Sequence, residues 1–237
     1  AVPGIDRAAR RPPLHGMSLF TRLFARGHDR MTLRKMERMF RTRPDPYDYG
    51  TSVYEQARLK SMAEAVSDRR YGSALEIGCG EGFFTETLAT VAENVIALDI
   101  AATPLDRARA RFADRSDRIM FVEANIRDWL PPEGRTFDLI VASDVLYYLG
   151  ERNDGVRLFH ETEFRDLLAR VTGWLASGGR MLLSHGYVGA AERVVRQAYR
   201  ERLERLGLSL EREWDVGGGT DRGGTACLMS LLRKGPA

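Results

Sequence analysis

Chemistry in this 237-residue chain concentrates in a few short stretches. The first is Leu75-Glu76-Ile77-Gly78-Cys79-Gly80-Glu81-Gly82-Phe83, an apolar run, three spaced glycines and the start of a helix-like segment. Glycine there allows positive φ and lets a ligand lie against bare backbone. A helix start just beyond offers unpaired N–H groups to an anion. The spacing alone admits a dinucleotide loop, but that fingerprint wants glycine where Phe83 stands. Asp99 closes the next apolar run, 21 positions after Gly78. An acid at that place accepts both ribose hydroxyls of an adenosine. Asp144 and His185 are the acid–base candidates. His185 titrates near neutral pH, and Asp144 is suited to anchoring an ammonium or orienting the imidazole. The plainer readings are a cap for a helix starting at Val145 and a satisfied rim histidine. Tyr147 and Tyr148 are candidates for the wall of a substrate pocket. No His, Asp or Glu cluster has metal-ligand spacing, which predicts metal-independent catalysis. His160 reads as part of a helix start, and His15 and His28 sit in a basic arm without an evident partner.

The elements that must position these residues are legible from periodicity. Short apolar runs at 73–77, 94–98, 119–123, 137–142 and 179–184 alternate with amphipathic stretches at 83–92, 103–115, 161–175 and 190–206. Strands alternating with helices of that length imply crossover units and a parallel sheet. The alternation stops at 208–216 and 225–232, two runs across a Gly-rich turn at 217–224 that read as an antiparallel pair. In an open α/β sheet ligands bind at the carboxyl ends of the strands, the edge that would carry Gly78–Gly82, Asp99, Asn125, Ser143–Tyr148 and His185–Tyr187. Upstream, apolar residues from Leu19 to Phe40 recur at helical spacing around an expected break at Gly27, and Pro44 and Pro46 end the run. Thr51 or Ser52 then predicts an N-cap, with Glu55 placed for a capping box and a helix to about Arg69. This divides the chain into a flexible basic tail at 1–16, a helical cap at 17–70 and an α/β core at 71–237.

Composition bounds the rest. Hydrophobic residues make up 43% and charged residues 29%, an ordinary soluble-globular balance. No apolar run approaches the ~18 residues of a membrane span, and Arg10-Arg11 is followed by Pro-Pro-Leu-His-Gly rather than an apolar signal core. Two distant cysteines, Cys79 and Cys227, argue against a disulfide framework or cysteine zinc site, so a cytoplasmic setting is expected. Residues 1–43 hold eleven Arg and Lys against three acids, Asp6, Asp29 and Glu37, which makes this arm about +8 within a chain of net charge +3. Such an arm suits nucleic acid or a phosphate-bearing partner, although the aromatics that base stacking uses are sparse there.

Glu76-x-Gly78-x-Gly80-x-Gly82 together with Asp99 resembles motif I and the post-β2 acid of the class I S-adenosylmethionine-dependent methyltransferases. The resemblance covers about residues 47–234. It implies a Rossmann-like, seven-stranded, mostly parallel sheet with helices on both faces and the last strand antiparallel. It also implies S-adenosyl-L-methionine as cofactor, S-adenosyl-L-homocysteine as product, and no metal. Gly78, Cys79, Gly80 and Gly82 would then lie along the methionine part, Asp99 on the ribose, and Ile100 on the adenine, with Ile126 a further cofactor-binding candidate. Asn125 stands where an Asp commonly holds the adenine amino group, with Asp128 a competing assignment. A closer likeness, carried by Asp45-Pro46-Tyr47-Asp48-Tyr49-Gly50-Thr51-Ser52-Val53-Tyr54-Glu55, by Phe137–Leu149 and by His185, is to the nodulation protein S family, bacterial enzymes that N-methylate an amino sugar. It implies a lid made by Tyr49, Tyr54 and Arg58 over the cofactor, with Ser143 a further cofactor-binding candidate.

Small-molecule N-methylation is the reading adopted, with O-methylation of a small metabolite its nearest variant. A protein or RNA methyltransferase using the basic arm is the second reading. Asp144-Val145-Leu146-Tyr147 resembles the Asp-x-x-Tyr signature of some protein-lysine methyltransferases, but no Asn/Asp-Pro-Pro-Tyr follows the fourth strand. A cofactor-binding protein without turnover is the third. No membrane partner is expected, nucleic acid is not favoured, and a homodimer is left open.

Overall fold

A computed structural model describes residues 19–115, 117–150, 157–217 and 223–236. The first helix, α1 (Leu19–Thr42), precedes α2 (Val53–Val66) and then an alternating run: β1 (Tyr71–Ile77), α3 (Thr85–Val91), β2 (Ala92–Asp99), α4 (Ala102–Arg111), β3 (Ile119–Glu123) and β4 (Phe137–Ser143). The short α5 (Leu146–Gly150) and α6 (Arg157–Gly173) lead to β5 (Leu175–Tyr187), α7 (Gly189–Arg205), β6 (Leu208–Gly217) and β7 (Ala226–Lys234). The seven strands form one sheet in the order β3-β2-β1-β4-β5-β7-β6. Strands β1 to β5 pair in parallel, and β7 runs antiparallel to both β5 and β6.

The central strands are buried on both faces, as parallel strands covered by crossover helices must be. Alternation along each strand divides the core in two. Ala74, Val95, Leu139, Val141 and Leu182 face Met62 and Val66 of α2, Leu88 of α3 and Leu105 of α4. Leu75, Ile77, Ile96, Ile140 and Leu183 face Phe164 and Leu168 of α6 and Tyr199 and Leu203 of α7. A satellite cluster of Met36, Phe40 and Ala101 seats α1 on the sheet's upper edge.

Three local expectations are corrected. No break occurs at Gly27, because α1 runs straight through it; a single glycine costs a helix only about 1 kcal/mol, and the docked turns on its C-terminal side outweigh that. Ser52 is the N-cap of α2, its Oγ accepting the Glu55 N–H at 3.3 Å, but the helix ends at Val66. The expected strand starts at Gly179; instead β5 begins at Leu175 and absorbs Gly178 and Gly179 in an irregularity, with pairing shifting between Phe137 and Leu139 and Gly178 at φ +74°. The tail at 1–16 and His15 lie outside the described residues, as does the side chain of His160.

Candidate active site

Above the carboxyl ends of β1, β2 and β4 lies a cavity roofed by α1 and the loop between α1 and α2. Its floor is the glycine loop. Gly78 and Gly80 hold φ values of +79° and +53°, and the Gly78 and Cys79 N–H groups both donate to the Leu98 carbonyl, at 2.8 and 2.9 Å. A Cβ on Gly78 would stand 3.1 Å from Val145 Cγ2, so only glycine lets the loop lie this close to the end of β4. Gly82 plays a different part: it is turned away from the cavity, where a Cβ would meet Phe112 at 2.9 Å. Cys79 lines the floor, and burial pushes its thiol well above the ordinary range.

Asp99, at the tip of β2, accepts the Gly80 N–H and the Ala101 N–H, both at 2.9 Å. Burial raises its pKa and the backbone donors oppose that rise. Glu76 sits beneath, accepting the Thr85 hydroxyl at 2.5 Å; burial drives its pKa up to about 8, with the charge of Asp99 adding to the rise. Ile100, Asn125 and Ile126 continue the wall, whereas Asp128 is not among the lining residues. The Asn125 amide donates to Asp29 of α1 at 2.7 Å. A carboxylate is therefore present at this end of the cavity, contributed by α1.

A second part of the wall is organised by Arg58 of α2, which is 1% exposed. Its Nε donates to Glu55 at 2.8 Å, Nη1 to Ser143 at 2.9 Å and to Asp144 at 2.5 Å, and Nη2 to the Tyr49 hydroxyl at 3.0 Å. Burial works against the charge, but Asp144, Tyr49 and Glu55 hold its pKa well above the ordinary value. Asp144 adopts φ +47°, uncommon outside glycine. Its second oxygen takes the Gly186 N–H at 2.8 Å, so this carboxylate joins the ends of β4 and β5 to α2. His185 lies inside β5, 2% exposed and not on the cavity wall, ring-packed by Tyr147 and Tyr199. Burial lowers its pKa to about 4, and the Leu146 N–H points at Nε2 from 3.4 Å. Tyr147 and Tyr148 line the cavity, their ring centroids 4.5 Å apart.

The roof departs in part from the expected lid. Tyr49 covers the cavity, stacked on Phe83 at 5.1 Å, but Tyr54 is 4% exposed in the core. Tyr47 and Phe40 complete the roof instead, meeting edge-on at 6.1 Å. The roof is fastened to the floor by Glu81, which accepts the Asp45 N–H at 2.8 Å and Arg107 at 2.5 Å. Glu37 of α1 fastens the helix, accepting the Ala102 and Thr103 N–H groups at 2.5 and 3.1 Å and the Thr103 hydroxyl at 2.6 Å. It caps α4, whose own N-cap position, Ala101, has no side chain for the task. Asp29, Glu37 and Glu81 were missed as site residues. The available signal was that Asp29 and Glu37 interrupt an otherwise basic helix.

Residues 32–212 match the Nodulation protein S (NodS) family. The chain belongs to this family. One relative, Nodulation protein S of Bradyrhizobium diazoefficiens, is 40% identical over 106 residues, a match spanning 44% of this chain and about half, 49%, of that protein. Nodulation protein S of Sinorhizobium fredii is 27% identical over 200 residues, covering 80% of this chain and 83% of that one. Among solved structures, the N-methyltransferase NodS of Bradyrhizobium japonicum in complex with S-adenosyl-L-homocysteine superposes with a TM-score of 0.71 at 24% identity, covering 86% of this chain and 98% of that chain. That likeness establishes a shared fold, the seven-stranded Rossmann-like sheet with its antiparallel end. Among the described residues no group of three or more His, Cys, Asp or Glu is arranged to hold a metal ion, and no helix is long and apolar enough to cross a membrane.

Proposed function

We propose that this member of the family transfers a methyl group from S-adenosyl-L-methionine to the amine of a small molecule. The observation that carries the reading is one cavity whose wall brings together two chemically distinct sets of residues: the glycine loop with Asp99, and Asp144 with Tyr147 and Tyr148. The residues fit the cofactor. The positive-φ loop presents backbone without side chains, and Asp99 offers carboxylate oxygens where ribose hydroxyls need acceptors. Family membership and an N-methyltransferase with the same fold support it. When bound, the sulfonium supplies a methyl group already activated for in-line displacement.

What remains for the protein is alignment and exclusion of water. Tyr49 and Tyr47 close the roof, and Glu81 and Glu37 hold that roof down. Asp144, fixed by Arg58 and the Gly186 N–H, orients the acceptor nitrogen. His185 acts through position: with its pKa near 4 it stays neutral and supports Leu146 and Tyr147 from behind.

The test is transfer from labelled S-adenosyl-L-methionine into the metabolite, RNA and protein fractions of a bacterial extract. Label on nitrogen in a metabolite is expected. Label on oxygen would reassign the acceptor atom, and label in RNA or protein would overturn the small-molecule reading.

A further inference from the structure

Beside the main cavity lies a second hollow that the methyl-transfer reading does not use. The two share Thr32, Tyr147 and Tyr148 as a common wall. Beyond that wall the hollow is completed by Met31 and three basic side chains, His28, Lys35 and Arg196, and no carboxylate among the described residues lines it. The Lys35 ammonium stands 5.6 Å from the Tyr148 ring centre, and the Arg196 guanidinium 5.1 Å from that of Tyr147. His28 Nε2 donates to the Tyr148 carbonyl oxygen at 3.0 Å, which ties α1 to the aromatic pair. On the same helix, beside Lys35, Arg34 and Arg38 are exposed. Their fields add to that of the hollow.

A simple protonated amine approaching this mouth is repelled. An amine that also carries negative oxygens is drawn in and held with its two ends apart. The wall places an acid, Asp144, on one side and the basic hollow on the other, a polarity that matches a zwitterionic acceptor. Resting on the methyl-transfer reading, we infer that the hollow binds an anionic oxygen group, phosphate or sulfate, borne by the acceptor amine.

The experiment is calorimetry on the full chain saturated with S-adenosyl-L-homocysteine, titrated with glucosamine, glucosamine 6-sulfate and glucosamine 6-phosphate. Both anionic sugars are expected to bind about tenfold or more tightly than glucosamine, with the advantage shrinking as salt is added. The ratio between them identifies phosphate or sulfate as the group recognised. Lys35→Ala, at an exposed position, should remove most of the advantage while leaving homocysteine-product affinity and melting temperature unchanged. Equal binding of all three sugars, binding of none, or an advantage that survives Lys35→Ala overturns the inference. Failure of the homocysteine product to bind counts against the methyl-transfer reading instead, and the same sugar comparison on the unliganded chain then still decides the hollow.

Discussion

Replacing Arg58 by Met tests whether one buried cation holds the acceptor end of the site together. The guanidinium is 1% exposed and faces Glu55 at 2.8 Å and Asp144 at 2.5 Å. Removing one partner of a buried ion pair costs about 3–5 kcal/mol, mostly because the opposite charge is left without compensation. Here two carboxylates lose the same partner, and Glu55 is itself buried. For a chain of this size, each kcal/mol shifts the midpoint by roughly 2–4 °C, so Arg58→Met should lower the melting temperature by roughly 6–20 °C. The decisive comparison adds Glu55→Gln and Asp144→Asn to the Met background. With no stranded charge, the penalty should fall to about 1–2 kcal/mol. Arg58→Lys keeps the charge without the planar fork and should recover only part of the loss. Urea or thermal unfolding measures all of these. A loss below about 1 kcal/mol for Arg58→Met, or no recovery in the triple variant, refutes the reasoning.

Asp99→Ala should weaken S-adenosyl-L-homocysteine binding by about 2–4 kcal/mol, or roughly 30-fold to 1000-fold, since it removes a charged acceptor and frees the Gly80 N–H it now fixes; calorimetry reads this directly, and unchanged affinity would remove Asp99 from the cofactor site. His185 has a folded pKa near 4, below its unfolded value, so the unfolded chain binds the extra proton first. The stability it contributes is present above about pH 6.5 and is lost as pH falls toward 4; His185→Gln should flatten unfolding free energy against pH across that window. Glu37 is pulled the same way: burial raises its pKa, but the bonds from Thr103 and Ala102 and the charge of Arg41 outweigh that and hold it below 4.5. Its contribution is therefore present above pH 4.5 and lost below it, and Glu37→Ala should cost about 0.5–2 kcal/mol in the same unfolding assay at neutral pH.

The alternating architecture was readable because its signals are local. Apolar runs of five or six residues, broken by amphipathic stretches, allow little but crossover units, and the glycine loop and Asp99 fall where strand ends must place them. Asp144 and the tyrosines after it were legible for the same reason. His185 was misjudged in place, since β5 extends to Tyr187 and carries the histidine inside the sheet; length past the apolar core of a strand is set by its neighbour β7, which no local pattern reveals. Arg58 was legible as a lid residue but not as the hub it is, because its partners Ser143 and Asp144 lie 85 and 86 positions away. Asp29 and Glu37 are harder still. Asp29 meets the Asn125 amide and Arg127 in the stretch after β3, and Glu37 meets the N–H groups of the first turn of α4; the basic composition around both acids disguised them as surface charges.

The position of β7 has a consequence for how the protein is made. It follows every other strand in the sequence, yet it lies between β5 and β6 and pairs with both. In the order of synthesis β5 and β6 both precede residues 226–234, the strand that each of them pairs with. Until then the edge of β5 that includes Gly186 has open hydrogen-bonding groups, and the pairing of Tyr187 with Ala226 that closes it cannot form. A chain stopped before Ala226 would therefore present the unpaired, apolar edge of β5 to chaperones.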